Sequence, residues 1–144
     1  MFSFAYNQLE GAMVGVYRGE FEGDRDHQRL LDSLVLLDRE DTGTRYRLYV
    51  LVTDPRIPRP NATWRRRFAE FKDATCNPTL FAFVSPSALL RGVITTVNWV
   101  TPATVKVQTS AHATFPDASR WLEERCDRRL PFLDSLYKKA LAGE

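Results

Sequence analysis

The fold is decided by the stretch RYRLYVLVTD, residues 45–54. Its middle, Leu48 to Val52, is a nearly continuous apolar run, which is typical of a β-strand covered on both faces. Such a strand belongs inside a mainly parallel sheet that has helices on each side. The segments before and after it must therefore supply more strands and the helices that cover them.

Two strands and a helix are predicted before this central strand. FSFAYNQ and AMVGVYRGEF have the apolar and aromatic density of strands, and Gly11 in the short link between them favours a hairpin turn. After Gly23, Asp24 is a suitable N-cap, and leucines follow at helical spacing at positions 30, 31, 34 and 37. The chain is therefore expected to open with an antiparallel hairpin and then a helix.

Helices and strands are predicted to alternate after the central strand. Asn61 is a candidate cap for a helix with a stripe of Trp64, Phe68 and Phe71. TLFAFVS, residues 79–85, is predicted to be a second buried strand, and the alternating residues 104–108 an edge strand.

A helix predicted over residues 86–100 is apolar on most of its sides. Ser85-Pro86 is a natural helix opening, while the many β-branched residues that follow favour strands, so tertiary packing would have to override propensity. Ile94, Val97, Trp99 and Val100 would lie on an outward arc that a symmetry mate or the terminal helix must cover. We expect this helix to be buried or to form an interface, in the simplest case a homodimer.

Two further helices are predicted near the C-terminus. Pro116-Asp117 suits a first helical turn, and Ala118, Trp121 and Leu122 then fall on one face. A terminal helix would use Phe132, Leu133, Leu136, Tyr137 and Leu141. The order of elements predicts an α/β fold with a mixed sheet that an antiparallel hairpin opens and on which the helices pack.

Composition limits the class of protein. The 144 residues, 44% of them hydrophobic, suit one domain over residues 1–144, and the net charge of +2 does not favour a nucleic-acid partner. No secretory signal and no run of 18 apolar residues is found, so we expect a cytoplasmic protein without stable membrane insertion. Cys76 and Cys126 are far apart and predict buried thiols, neither a disulfide nor a redox pair.

Enzyme motifs are not found. The sequence has no glycine-rich nucleotide loop and no Gly-x-Ser-x-Gly elbow, and His27 and His112 have no metal-ligand spacing. A catalytic trio could be drawn from Ser85 or Ser87 with His112 and Asp117, but these serines also suit a helix opening. We expect a noncatalytic protein without metal or cofactor, and a small hydrolase is the less favoured alternative.

A basic stretch is the most distinctive surface that the sequence predicts. It consists of five arginines near the start of the second helix: Arg56, Arg59, Arg65, Arg66 and Arg67. Because arginines are mildly unfavourable at the positive end of a helix dipole, an anionic group of a partner would offset this repulsion. The alternative is ordinary surface pairing with Asp54, Glu70 and Asp73.

Over nearly its whole length the sequence resembles the STAS-like proteins, whose fold is that of anti-sigma-factor antagonists and CRAL-TRIO domains. The resemblance runs from LYVLVTD and NATWRRRFAEF, through FVSPSALLRGVITTVNWV, to the closing Phe115 followed by Ala118, Trp121 and Leu122, as in small bacterial members. It implies a signalling platform that binds partners or a small ligand. The Asp-Ser-Ser-Gly motif of standard antagonists is replaced by residues 59–63, where Thr63 is the hydroxyl that could be phosphorylated.

Two functions therefore lead. The first is a noncatalytic regulatory or scaffold module that binds a protein partner through the arginines and the apolar helix over residues 86–100. The second is a carrier of a lipid or other apolar small molecule, with Leu89, Leu90, Val93, Ile94 and Trp99 lining a cavity. A pocket beside that helix would favour the carrier.

Overall fold

A five-stranded mixed sheet forms the centre of the protein in the computed structural model, which describes residues 1–39, 46–58, 60–92 and 106–143. The strands are β1 (Phe2–Asn7), β2 (Ala12–Tyr17), β3 (Arg47–Val52), β4 (Thr79–Val84) and β5 (Val107–His112). The helices described are α1 (Asp24–Arg39), α2 (Ala62–Ala74), α3 (Phe115–Cys126) and α4 (Leu133–Ala142). Residues 88–92 are also helical.

The strands lie in the sheet in the order in which they occur in the chain. β1 pairs with β2 in antiparallel orientation, and β2, β3, β4 and β5 are parallel to one another. The opening hairpin turns through Gly11, which has a φ of 59° that glycine adopts without steric cost. The predicted α/β class, with a mixed sheet opened by a hairpin, is confirmed.

The central position of β3 explains its continuous apolar run. Leu48 and Val50 pack on one side of the sheet, while Tyr49 and Leu51 pack on the other. Successive side chains point to opposite faces of a strand, so a strand with helices on both faces needs apolar residues at every position. The prediction made from residues 48–52 is therefore confirmed.

Helices α3 and α4 cover the first side of the sheet. Ala118 and Leu122 of α3 are fully buried there, as their spacing predicted, and the Thr114 side chain accepts a hydrogen bond from the Asp117 N–H at the start of the helix. Near the other end of α3, Glu123 is half-buried and accepts a hydrogen bond from the Leu130 N–H. This bond ties the end of α3 to the segment that leads into α4.

Helices α1 and α2 cover the second side. Here Tyr49 donates or accepts a hydrogen bond of 2.7 Å with the Ser33 hydroxyl of α1, and the Phe2 ring lies beside it. A Cβ atom at Gly15 would come within 2.6 Å of the Tyr49 hydroxyl oxygen and 2.7 Å of the Phe2 ring. Glycine at this position is what lets the two aromatic side chains lie against β2.

Two boundaries differ from their predictions. The edge strand predicted over residues 104–108 is β5, which runs from Val107 to His112, and residues 104 and 105 lie outside the described residues. Asp24 is the first residue of α1, where its carboxylate accepts a hydrogen bond from the Trp64 indole. Residues 93–100 of the predicted apolar helix also lie outside the described residues.

In the part of the chain that the structure describes, no helix has the length and apolar character needed to cross a membrane.

Candidate binding cavity

An apolar cavity of about 340 Å³ lies between the sheet and the helices of the α1/α2 side. Its size is within the range of small-molecule sites, roughly 300–1,000 Å³. The described wall residues are Tyr17, Leu51, Thr79, Phe81, Phe83, Val107 and Thr109 from the sheet, His27, Leu30, Leu34, Phe68, Phe71 and Lys72 from α1 and α2, and Thr53, Ile57, Pro58, Pro60 and Leu90 from connecting segments.

The roof of the cavity is the aromatic face of α2. Asn61 caps this helix as predicted, since its side chain accepts a hydrogen bond from the Trp64 N–H. Trp64 is the buried residue of α2, and its indole donates to Asp24 of α1 over 2.8 Å. Phe68 and Phe71 are only half-buried and line the cavity. The helix is therefore fixed to α1 at its start, while its next two aromatic side chains face open space.

The floor of the cavity is the surface of the sheet. Phe81 stacks on Tyr49 with ring centroids 5.1 Å apart, and Phe83 lies two residues further along β4 on the same face. Val107 and Thr109 continue this face on β5. The apolar floor thus extends from β3 to the edge strand, and a ligand placed there would bury aromatic surface of the protein.

A polar pair interrupts the apolar wall at the α1 end. Tyr17 is 7% and His27 5% exposed, and the Tyr17 hydroxyl oxygen lies 3.4 Å from His27 Nδ1. Burial lowers the pKa of His27 below its usual value, although the negative charges of Asp24 and Asp26 act in the opposite direction. Burial also raises the pKa of Tyr17. Both side chains are therefore neutral near pH 7.

The predicted arginine surface is present in part. Arg65, Arg66 and Arg67 of α2 are exposed, and among the described residues none of the three forms an ion pair with a carboxylate. Arg65 donates a hydrogen bond to the Pro60 carbonyl, and Arg67 lies 4.6 Å above the Trp64 ring. Arg56 is paired with Asp54 over 2.6 Å, as the alternative interpretation expected, and holds the pKa of that carboxyl at about 2. Arg59 lies outside the described residues.

The other predicted contact residues have mixed outcomes. Leu90 lines the cavity, as expected for a carrier, but Leu89 is 76% exposed and is not in the wall, so that prediction is wrong. Because neighbouring residues of a helix point in different directions, one leucine can face the cavity while the next faces solvent. Val93, Ile94, Val97 and Trp99 lie outside the described residues, and the homodimer predicted through them stays a prediction.

Thr63 is exposed in the first turn of α2, so its hydroxyl is accessible to a kinase. Its modification stays a prediction. The two cysteines are free, but Cys76 is exposed, so the expectation of two buried thiols is wrong for that residue.

The structure brings the catalytic trio drawn from the sequence into one region, since the Ser85 N–H donates to the His112 carbonyl over 3.0 Å and the charge of Asp117 acts to raise the pKa of His112 against the effect of burial. Among the described residues, however, no side-chain hydrogen bond joins the three. The His112 Nε2 atom lies 2.8 Å from the Ser110 hydroxyl, two residues away on β5. The Ser85 hydroxyl accepts a hydrogen bond from the Ser87 N–H, and the Ser87 hydroxyl accepts one from the Leu90 N–H. These two serines therefore hold the turn after β4. In the described ranges, no group of three or more His, Cys, Asp or Glu side chains could hold a metal ion.

Comparison with known proteins gives no relative. No family model, curated protein or solved structure matches the chain. The resemblance to STAS-like proteins therefore remains a hypothesis, and the function must be argued from the cavity and the surface.

Sequence reasoning missed most of the cavity wall. The spacing predicts the aromatic stripe of α2 but assigns no ligand to it, and the sequence indicates His27 only as a possible metal ligand. The signal that could have indicated the site is a pair of phenylalanines on one face of each of two elements, at positions 68 and 71 of α2 and at positions 81 and 83 of β4. Periodicity identifies such faces but does not show whether they touch.

Proposed function

We propose that the protein is a noncatalytic carrier or sensor that binds an apolar small molecule between α2 and the sheet. The observation that supports this proposal is the cavity of about 340 Å³, whose wall is almost entirely hydrocarbon. Transfer of an apolar ligand from water to such a wall is favourable by roughly 25 cal/mol for each Å² of apolar surface that is buried. The polar atoms in the wall are few, and they can orient a ligand once it is bound.

The free thiols of Cys76 and Cys126 suit a reducing compartment, and we place the carrier in the cytoplasm. In that setting a cavity of this kind protects an apolar molecule from water. The proposal also agrees with the second of the two functions that the STAS-like resemblance implies.

The cavity can be tested with the hydrocarbon dye 1,6-diphenylhexatriene, which fluoresces when it enters an apolar site. We predict saturable binding to the protein and its loss, by at least about tenfold, in Val107→Trp, because an indole at this wall position occupies the space. Gln108→Trp is the matched control. Gln108 is the next residue of β5, is exposed and points to the opposite face, so its replacement should leave dye binding unchanged.

The carrier proposal would be abandoned if the dye did not bind at all. It would also be abandoned if Val107→Trp, shown by circular dichroism to be folded, bound the dye as well as the unmodified protein and the Gln108→Trp variant.

A second function, binding of an acidic protein partner, is favoured by the surface of α2. Arg65, Arg66 and Arg67 are exposed without carboxylate partners in the described part of the chain, and α2 has no acidic residue in its first turn. Positive charge therefore accumulates at the positive end of a helix dipole. We propose that this arginine surface binds carboxylates of a regulatory partner, and that it does so from outside the cavity.

A further inference from the structure

The polar pair in the cavity wall, Tyr17 and His27, has one hydrogen-bonding group that its own contact does not use. His27 is almost fully buried, and its side chain hydrogen-bonds through Nδ1 to Tyr17, while among the described residues its Nε2 atom has no hydrogen-bond partner. The cavity is the open space that the His27 side chain lines. A polar atom in this position needs a partner, since burying it unpaired costs free energy.

Counting donors shows what that partner must be. A neutral imidazole has one N–H, and the Tyr17 hydroxyl has one O–H, so the pair has two donors. Only one of them is used in the contact between the Tyr17 hydroxyl and His27 Nδ1. If Tyr17 donates to Nδ1, then Nε2–H remains, and if Nδ1–H donates to Tyr17, then the phenol O–H remains. In both arrangements one donor is left for a ligand.

Charge excludes one class of acceptor. The carboxylates of Asp24 and Asp26 lie close enough to His27 to act on it electrostatically. A second negative charge at this end of the cavity would be repelled by them and would lose its hydration on entering an apolar site. The cation of the described wall, Lys72, cannot compensate here, because it lies two turns further along α2 than Trp64, the residue of that helix whose ring lies against His27. The acceptor that fits the remaining donor is therefore an uncharged oxygen.

We infer that the cavity selects an apolar molecule that carries an uncharged carbonyl oxygen, such as a ketone or ester, which accepts a hydrogen bond from the His27–Tyr17 pair. This inference rests on the proposed carrier function and specifies its ligand. It places the carbonyl at the α1 end of the cavity and the hydrocarbon part over Phe81 and Phe83.

Three small molecules of related shape test the inference by isothermal titration calorimetry. Butylbenzene has no polar group, butyrophenone adds a neutral carbonyl, and 4-phenylbutyrate adds a carboxylate. We expect butyrophenone to bind at least as tightly as butylbenzene and 4-phenylbutyrate to bind most weakly. In His27→Phe, butyrophenone should lose about tenfold in affinity, while butylbenzene should change by less than about threefold.

The control variant is His112→Phe. His112 lies on the opposite face of the sheet, where its ring contacts Trp121 and the Ser110 hydroxyl. The same replacement there should leave the binding of all three molecules unchanged. This variant therefore separates loss of the cavity donor from a general effect of replacing a histidine.

A measurement on the unmodified protein keeps the test decisive if His27→Phe does not fold. The sequence contains two histidines, so selective ¹⁵N-histidine labelling gives two sets of ring signals. Saturating butyrophenone should shift the His27 ring nitrogen signals more than butylbenzene does, and it should leave those of His112 in place.

The outcomes distinguish the two proposals. If butylbenzene binds but butyrophenone binds much more weakly, or if the ketone leaves the His27 signals unmoved, the carbonyl inference is wrong while the carrier function stands. Tighter binding of 4-phenylbutyrate than of butyrophenone would also overturn the inference. If none of the three molecules binds, the carrier function itself is wrong.

Discussion

The buried carboxylate of Asp26 joins three parts of the chain. It accepts hydrogen bonds of 2.7 Å from the N–H groups of Phe2 and Glu22 and lies 3.3 Å from the amino group of Met1. Burial alone would raise the pKa of Asp26, but the two N–H donors and the amino group outweigh it and hold the pKa below its usual value. The carboxylate is therefore charged near pH 7 and fixes β1 to the start of α1.

We predict that Asp26→Asn lowers the free energy of unfolding at neutral pH by about 2–4 kcal/mol, because the two N–H groups and the Met1 amino group lose their charged acceptor. The folded pKa lies below the unfolded value of about 3.9, so this contribution is present above that pH and is lost as the pH falls through the folded pKa. Urea unfolding at neutral pH and at about pH 3 should show the difference between the two proteins narrowing in acid.

The control for this prediction is Asp32→Asn. Asp32 is exposed on the same helix and accepts a hydrogen bond from Gln28, so its replacement should change stability by less than about 0.5 kcal/mol. The account of Asp26 would fail if its replacement cost no more than that of Asp32, or if the difference grew as the pH fell.

Single residues were the least predictable level of the structure. The sequence indicated Asp24 as the cap of α1, but the buried anchor is Asp26, two residues later. Both are aspartates in the first turn and look alike to a rule based on helix starts. What separates them is contact with distant segments: Asp26 binds β1, while Asp24 binds Trp64, 40 positions away. Local patterns carry no information on such contacts.

Helix α2 shows what can be predicted for a whole element. Its cap at Asn61 and its stripe of Trp64, Phe68 and Phe71 were predicted from spacing and are confirmed. The gap beneath it was not predicted, because the distance from a helix to a sheet depends on how both are held at their ends. The hydrogen bond between the Trp64 indole and Asp24 helps to fix the start of α2, and local sequence patterns do not predict a contact between residues 40 positions apart.

The outer face of α2 gives a prediction for the second function. Poly-L-glutamate can stand for an acidic partner. We expect the protein to bind it in a salt-dependent manner and to lose this binding when Arg65, Arg66 and Arg67 are replaced by glutamate, because the exposed charges are reversed. Fluorescence anisotropy of labelled polymer at low and physiological salt measures this. Folding should be retained, since the replaced side chains lie in solvent.

The chain provides a closely matched control on α3 and the segment after it. Arg120, Arg125 and Arg129 are also exposed, and Arg125 lies over the Trp121 ring much as Arg67 lies over Trp64. The described residues show one difference in pairing, because Arg120 lies 3.8 Å from the Asp117 carboxylate, an exposed contact that contributes little to stability. Replacing these three by glutamate makes the same change in net charge on the other side of the sheet. If both triple variants lose binding equally, the effect comes from net charge, and the α2 surface has no special part in it.

At the scale of the whole molecule, the order and type of the elements were predictable because each follows from a rule that acts along the chain. The run over residues 48–52 indicated a strand covered on both faces, and alternation with helices indicated parallel neighbours. No rule of this kind, acting along the chain, predicts the cavity. Its wall combines four strands, two helices and their connections, so it exists only when the fold is assembled.

That dependence leads to a prediction about stability. An apolar ligand that binds the assembled cavity has no comparable site on the unfolded chain, so it must stabilise the folded protein by mass action. At ten times its dissociation constant, butylbenzene should add about 1.4 kcal/mol. For a chain of this size that corresponds to a rise in Tm of about 3–6 °C, measurable by differential scanning calorimetry.

The same cavity variants separate this effect from a general action of the solute on the protein. Gln108→Trp should show the full rise in Tm, whereas Val107→Trp, with the space occupied by its own indole, should show almost none. A rise of equal size in both variants would mean that butylbenzene acts outside the cavity. The absence of a rise in the unmodified protein, at a concentration that saturates binding in calorimetric titration, would mean that the bound molecule does not require the assembled fold.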